Sequence, residues 1–213
     1  MKKTCGYYKN KKVVAAIGIF DGAHRGHQKI IKKVIARSHL NHVKSLVITF
    51  HPHPRKVLNP RSKTPLLLSL EHRLRLIKEM GADYVSVIKF TKKLSKMTPL
   101  DFVKRVLLQD FNIKTIIVGT NFLFGQGHKG NFAYLKKMGQ RYDFKVIGIE
   151  PIKMKGSNIS STRIRKTIES SDLKNASMML GRPVTILGTV VKGRKVGRRL
   201  GFPTANINPH HEA

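Results

Sequence analysis

The chain has 213 residues, with 42 Lys+Arg against 11 Asp+Glu and a formal net charge of +31. Its 40% hydrophobic content is enough for a packed core, which excludes a disordered chain. Its one cysteine, Cys5, excludes an intrachain disulfide framework, and the lack of any long apolar run excludes a signal peptide or a membrane span, so a cytoplasmic protein with no membrane partner is expected.

In chain order, Val13–Ile19 reads as a buried strand. The run Gly18-Ile-Phe20-Asp21-Gly22-Ala-His24-Arg-Gly26-His27 follows as a turn into a helix over Gly26–Ser38. Further strands are expected at Ser45–Phe50, Tyr84–Ile88, Thr115–Val118 and Lys145–Ile149. Helices are expected at Ser69–Met80, Pro99–Gln109, Phe132–Gln140 and Ser161–Ser170. Ser69 with Glu71, and Thr98 with Pro99 and Asp101, mark two helix starts. Gly81 is placed to end a helix. This alternation predicts an α/β fold with a parallel sheet covered on both faces.

The pattern changes at Gly181-Arg-Pro183. Val184–Val191 is rich in β-branched residues and reads as a strand, followed by a Gly/basic loop through Pro203. The expected division is 1–180 and 181–213. The second segment is shorter than the ~40 residues below which isolated domains rarely fold unaided.

Four constellations carry chemistry. His24-x-Gly26-His27 lies just beyond the first strand, where open α/β sheets bind ligands. A helix N-terminus there offers unpaired N–H groups to a phosphate, and Gly18 and Gly26 permit close approach. No Walker loop occurs, so the pattern points to a nucleoside triphosphate held by another device. Ser160-Ser161-Thr162-Arg163-Ile164-Arg165 opens a late helix. Its hydroxyls suit either capping or phosphate oxygens, and Arg165 adds charge. Thr49–Pro54 contains His51-Pro52-His53-Pro54, a stiff loop read as a pocket rim; the two histidines alone do not make a metal site. Val118–Gly125 offers the amide of Asn121 and the flat faces of Phe122 and Phe124, suited to a planar heteroaromatic ligand or to core packing.

Together these residues resemble the prokaryotic bifunctional riboflavin kinase/FAD synthetase family. The match continues into Gly181-Arg-Pro and Leu200-Gly201-Phe-Pro203-Thr204-Ala-Asn206. The resemblance implies a Rossmann-like nucleotidyltransferase domain, an FMN adenylyltransferase, followed by an incomplete riboflavin kinase β-barrel. It implies ATP and FMN as substrates, with Mg²⁺ and no protein metal ligand in the adenylyltransferase site. His24, His27 and Arg165 would be catalytic, with Gly18, Phe20, Gly26, Ser160, Ser161 and Thr162 at ATP. Pro52, Pro54, Leu58, Leu94, Phe102, Asn121 and Phe124 would line the flavin site. Thr204 and Asn206 match kinase residues for the Mg-nucleotide.

Leu123 departs from the family, which commonly has a polar or basic residue there. Glu212 is the only acid after Asp172 and is too close to the Pro-Thr-Ala-Asn stretch to be the kinase base. Riboflavin kinase activity is therefore not expected of this chain. The alternative is a non-catalytic flavin-binding or basic nucleic-acid-binding remnant. The basic residues are spread along the whole chain, so specific nucleic-acid binding is not the expectation.

Overall fold

A computed structural model describes residues 12–61, 65–194, 196–202 and 204–209. Cys5, Pro203, Glu212 and Ala213, which enter the expectations above, lie outside these residues.

Five strands, β1 (Val13–Ile17), β2 (Lys44–His51), β3 (Tyr84–Lys89), β4 (Ile113–Gly119) and β5 (Lys145–Ile149), form one sheet in the order β3-β2-β1-β4-β5. Every neighbouring pair is parallel. The central strand β1, Val-Val-Ala-Ala-Ile, is buried at all five positions. Such a continuous apolar run is what a strand covered on both faces requires.

The two faces separate along β1 by alternation. Val13, Ala15 and Ile17 pack with Phe102, Val103, Val106 and Leu107, and with Leu135 and Met138. These come from α5 (Pro99–Asp101), which continues as a wide π-type helix over Phe102–Asp110, and from α6 (Phe132–Arg141). Val14 and Ala16 pack with Ile31, Val34 and Ile77 on the opposite face. Those side chains belong to α1 (Arg25–Leu40) and α3 (Leu70–Glu79). Two short helices, α2 (Pro54–Leu58) and α4 (Lys92–Ser95), follow β2 and β3. The expected strands and main helices are all present, with ends shifted by one or two residues in most cases. Thr98 accepts from the Asp101 N–H at 3.1 Å, and the Gly81 N–H closes on Lys78 with a φ of +95°.

Beyond the sheet, a small hairpin pairs Lys153–Met154 (β6) with Ser157–Asn158 (β7). It precedes α7 (Ser161–Glu169) and α8 (Leu173–Leu180), which bury Ile164, Met179 and Leu180 together with Ile159. α8 is absent from the sequence-based expectation. Its eight residues follow the polar run Ser170-Ser171-Asp172, where Asp172 caps it by accepting from the Asn175 N–H. The segment after Gly181 differs more. The expected strand Val184–Val191 is shorter, Gly188–Val191 (β8), and pairs antiparallel with Asn206–Pro209 (β9). The loop between them holds a one-turn helix, α9 (Val196–Arg199). No closed barrel forms among the described residues. Leu200, Phe202 and Ile207 lie exposed here: two strands alone cannot bury such side chains.

Candidate active site

The strand order reverses between β1 and β4, and open α/β sheets place ligands beyond the carboxyl ends of their strands at that reversal. A cavity of about 700 Å³ lies there. Segments following all five strands line it.

The turn after β1 builds one wall. Phe20, Gly22 and Ala23 all have positive φ, at 53°, 82° and 41°. Such a run is held only by surrounding contacts. Asp21, 1% exposed, supplies most of them. Its carboxylate accepts from the Leu67 and Leu68 N–H groups and pairs with Arg165, while its carbonyl accepts from the Ser161 hydroxyl at 2.8 Å. The turn then delivers His24 as the N-cap of α1.

His24 Nδ1 accepts from the His27 backbone N–H at 3.4 Å, which leaves Nε2 as the proton-bearing nitrogen of the neutral ring. The two imidazoles stack with centroids 3.6 Å apart, and Phe20 meets His27 edge-on at 5.3 Å. Burial pushes the His24 pKa down to about 4; Asp21 opposes this and Arg182 adds to it. Burial also holds His27 well below its ordinary value, reinforced by His24 and Arg73. Both rings are thus neutral near pH 7. His27 Nδ1 is buried with no partner among the described residues, a condition that costs about 1–3 kcal/mol and that a ligand acceptor or donor relieves.

The opposite edge is the start of α7. Ser160 caps the helix by accepting from the Arg163 N–H at 3.2 Å. Ser160, Ser161, Thr162 and Arg165 all line the cavity. The hydroxyls of Ser160 and Ser161 are thus occupied by structure, while the helix N-terminus still faces the cavity. Arg165 is 7% exposed. Its Nε donates to the Pro65 carbonyl and its Nη2 to Asp21. Two of its nitrogens thus hold the turn beside the cavity that Arg165 lines.

The remaining wall is apolar. Pro54, Leu58, Leu94, Phe102, Asn121 and Phe124 all reach it, as do Gly18, Phe20, Gly26, His24 and His27 on the other side. Phe102 and Phe124 are mainly core residues, 5% and 6% exposed, and touch the cavity at an edge. Phe124 stacks on Phe122 with centroids 5.4 Å apart. Leu123, between them, is exposed and also lines the cavity. Pro52 is the one expected flavin-site residue that does not line it; its neighbour His53 does, buried, with its pKa pushed down to about 4 by burial. Thr204 and Asn206 are exposed in the β8–β9 segment and take no part in this cavity.

Three groups escaped the sequence reading. Glu150 lines the cavity directly after β5 and accepts from the Thr120 hydroxyl at 3.0 Å; its place at a strand end was the available signal. Phe90 does the same after β3. Arg73, buried in α3, donates to the Ile19 and Phe50 carbonyls at 2.7 and 3.0 Å and so clamps the ends of β1 and β2; nothing in the sequence distinguishes it from a surface arginine. Among the described residues no group of three or more His, Cys, Asp or Glu is placed to hold a metal ion. Asp21 and Glu150, the cavity's carboxylates, are engaged by Arg165 and Thr120.

A family model described as FAD synthetase matches residues 7–163, and one described as riboflavin kinase matches residues 180–213. The chain is 37% identical over 213 residues to a bifunctional riboflavin kinase/FMN adenylyltransferase of Buchnera aphidicola subsp. Schizaphis graminum, covering 98% of this chain and 68% of that protein. The Escherichia coli K12 protein of the same description is 34% identical over 91% of this chain and 62% of its own length. The chain thus spans about two thirds of the length of these relatives. A crystal structure described as a macrolide-efflux protein from Streptococcus pneumoniae superposes with a TM-score of 0.82 at 30% identity, over 94% of this chain and 65% of that one. Among the described residues no helix is long and apolar enough to cross a membrane.

Proposed function

The chain belongs to the FAD synthetase family, and from that premise we propose that it is an FMN adenylyltransferase, making FAD and pyrophosphate from FMN and ATP. One observation carries the reading. The paired neutral imidazoles and the N-terminus of α7 face one cavity whose far wall is aromatic and apolar. A polyphosphate fits the first side and an isoalloxazine ring the second.

A phosphate oxygen of FMN attacks the α-phosphorus of ATP in line. A new P–O bond forms as the bond from the α-phosphorus to the bridging oxygen breaks, and pyrophosphate leaves with that electron pair. The attacking monoester is largely dianionic at pH 7, its second pKa lying near ~6, so no protein base is required. The protein positions the reactants and stabilises transferring charge. His24, through Nε2–H, and His27 donate to α- and β-phosphate oxygens, and these bonds strengthen as charge builds on the leaving group. The α7 N-terminus receives the terminal phosphates. Arg165 acts as a positioning residue, fixing Asp21 and the turn. Mg²⁺ enters as part of the MgATP substrate, held by phosphate oxygens. Pro54, Leu58, Leu94, Phe102, Asn121 and Phe124 hold the flavin, with His53 at its rim. We assign this reaction to the cytoplasm, where ATP is at hand.

Chromatography of a reaction containing the protein, FMN and MgATP tests this directly. FAD and pyrophosphate are expected in equal amounts; binding of flavin with no FAD formed would reassign the chain to a non-catalytic role. Riboflavin supplied in place of FMN should remain unphosphorylated. Thr204 and Asn206 are exposed in the β8–β9 segment.

A further inference from the structure

The histidine turn is also gripped from outside the FAD synthetase match. Arg182 lies in the segment matched to riboflavin kinase, one residue past the left-handed Gly181 that ends α8. Its Nη2 donates to the Gly22 carbonyl at 2.9 Å and its Nη1 approaches the Ala23 carbonyl at 3.5 Å. Gln28 of α1 closes the clasp, its amide donating to the Ala23 carbonyl at 2.9 Å and to the Leu180 carbonyl at 2.7 Å. Gly22 and Ala23 are the two positive-φ residues immediately before His24. Their carbonyls are aimed at this clasp, and a residue able to bridge both is what the strained turn needs at that point.

We propose that Arg182 is a positioning residue for adenylyl transfer, holding the Gly22–Ala23 peptides so that His24 and His27 face the phosphates. The site is then not contained within the residues of the FAD synthetase match: its turn is completed by the first residues of the downstream segment. This inference rests on the FMN adenylyltransferase reading.

Two variants of the full chain test it. Arg182→Met keeps the stem and removes the donors and the charge; Arg182→Lys keeps the charge but replaces the rigid two-nitrogen fork by a single nitrogen. Displacing a catalytic group by about 1 Å costs about 100-fold in rate. FAD formation should therefore lose about 100-fold in kcat in Arg182→Met and about 10-fold in Arg182→Lys, with KM for FMN within about twofold of the parent. A second readout does not depend on turnover. The His24 ring, identified in NMR spectra by its loss in His24→Gln, faces Asp21 on its own turn, His27 in the stack, and Arg182, with Arg73 behind His27. Burial is the main cause of the low His24 pKa and Arg182 the smallest, so in Arg182→Met loss of the charge alone gives a small rise from about 4, and a loosened turn that admits water to the ring gives a larger one; Arg182→Lys should stay near the parent. Parental kcat in Arg182→Met, or a loss of rate with His24 titrating unchanged, would overturn the proposal. If Arg182→Met does not unfold cooperatively, Arg182→Lys decides, a 10-fold loss supporting and no loss overturning. If the parent itself makes no FAD, the assigned reaction falls, while the His24 titration still decides whether Arg182 holds the turn.

Discussion

His24 and His27 are stacked and neutral near pH 7, and in the proposed reaction each acts as a hydrogen-bond donor and not as a resident cation. Replacing His27 by Ala removes one donor and the partner ring of the stack. Removal of one such donor in a preorganised site costs about 10²–10³ in kcat, so the variant should lose at least about 100-fold in FAD formation at saturating ATP. Flavin affinity, followed by quenching of flavin fluorescence, should change by less than about twofold, because His27 lies on the phosphate side of the cavity. A loss confined to flavin affinity would remove it from the phosphate site. The same two rings carry a stability consequence. Burial depresses the folded pKa of His24 to about 4 from 6.5, so the unfolded chain binds more protons between those values. Stability from this group is fully present above pH 6.5 and is lost as pH falls toward 4, an effect of up to about 3 kcal/mol. His53 titrates in the same direction. Thermal unfolding followed from pH 7 to pH 4 should show a falling midpoint across this window, and His24→Gln should flatten part of that slope.

At the scale of elements, the start of α7 serves two ends at once. Ser160 satisfies one of the four orphan N–H groups of the helix, and the remaining groups face the cavity. Ser160→Ala should lower stability by about 1 kcal/mol, a drop of about 3 °C in the unfolding midpoint. It should raise KM for ATP far less than His27→Ala lowers kcat. A large KM effect instead would give the hydroxyl a direct phosphate contact. The β1–turn–α1 unit is legible in sequence because its local signals agree: a buried apolar run, a glycine, Gly22, at one of the positive-φ positions, and apolar spacing at helical period. The β6–β7 hairpin was missed although Lys155-Gly156, with φ of 51° and 74°, has the left-handed pair that tight hairpins use. Its strands are two residues each and carry no alternation to read. Of the stiff His-Pro-His-Pro loop, His53 and Pro54 turn toward the cavity and Pro52, which the resemblance implies for the flavin site, does not. The parts not legible are the partners of the arginines, including those of Arg165, whose place at the motif the sequence does mark. Arg73, Arg165 and Arg182 act by donating to carbonyls and to a carboxylate remote in sequence, and no local pattern marks a partner chosen by the tertiary fold.

For the whole molecule, the doubly wound sheet sets where chemistry can occur, and the segment after Gly181 sets how firmly. The sheet gathers the five strand ends around one cavity. α7 and α8 then return the chain to the turn after β1, through Ser161 onto the Asp21 carbonyl and through Arg182 onto Gly22. Hydrogen bonds from Arg182 to Gly22 and from Gln28 to Leu180 tie the start of the segment after α8 to the turn and to α1. The β8–β9 hairpin beyond carries exposed apolar residues and none of the cavity wall.

The 3.6 Å separation of the two imidazoles has a further effect on how a polyphosphate is received. Anionic oxygens raise the proton affinity of any ring they touch. Two imidazolium charges about 4 Å apart, however, repel by about 4 kcal/mol at the effective dielectric of a protein site, and His24 already lowers the proton affinity of His27. Double protonation of the stack is thereby disfavoured over and above burial. The closeness of the rings thus keeps the pair from turning into a doubly charged anion trap, which would hold departing pyrophosphate as firmly as the arriving nucleotide.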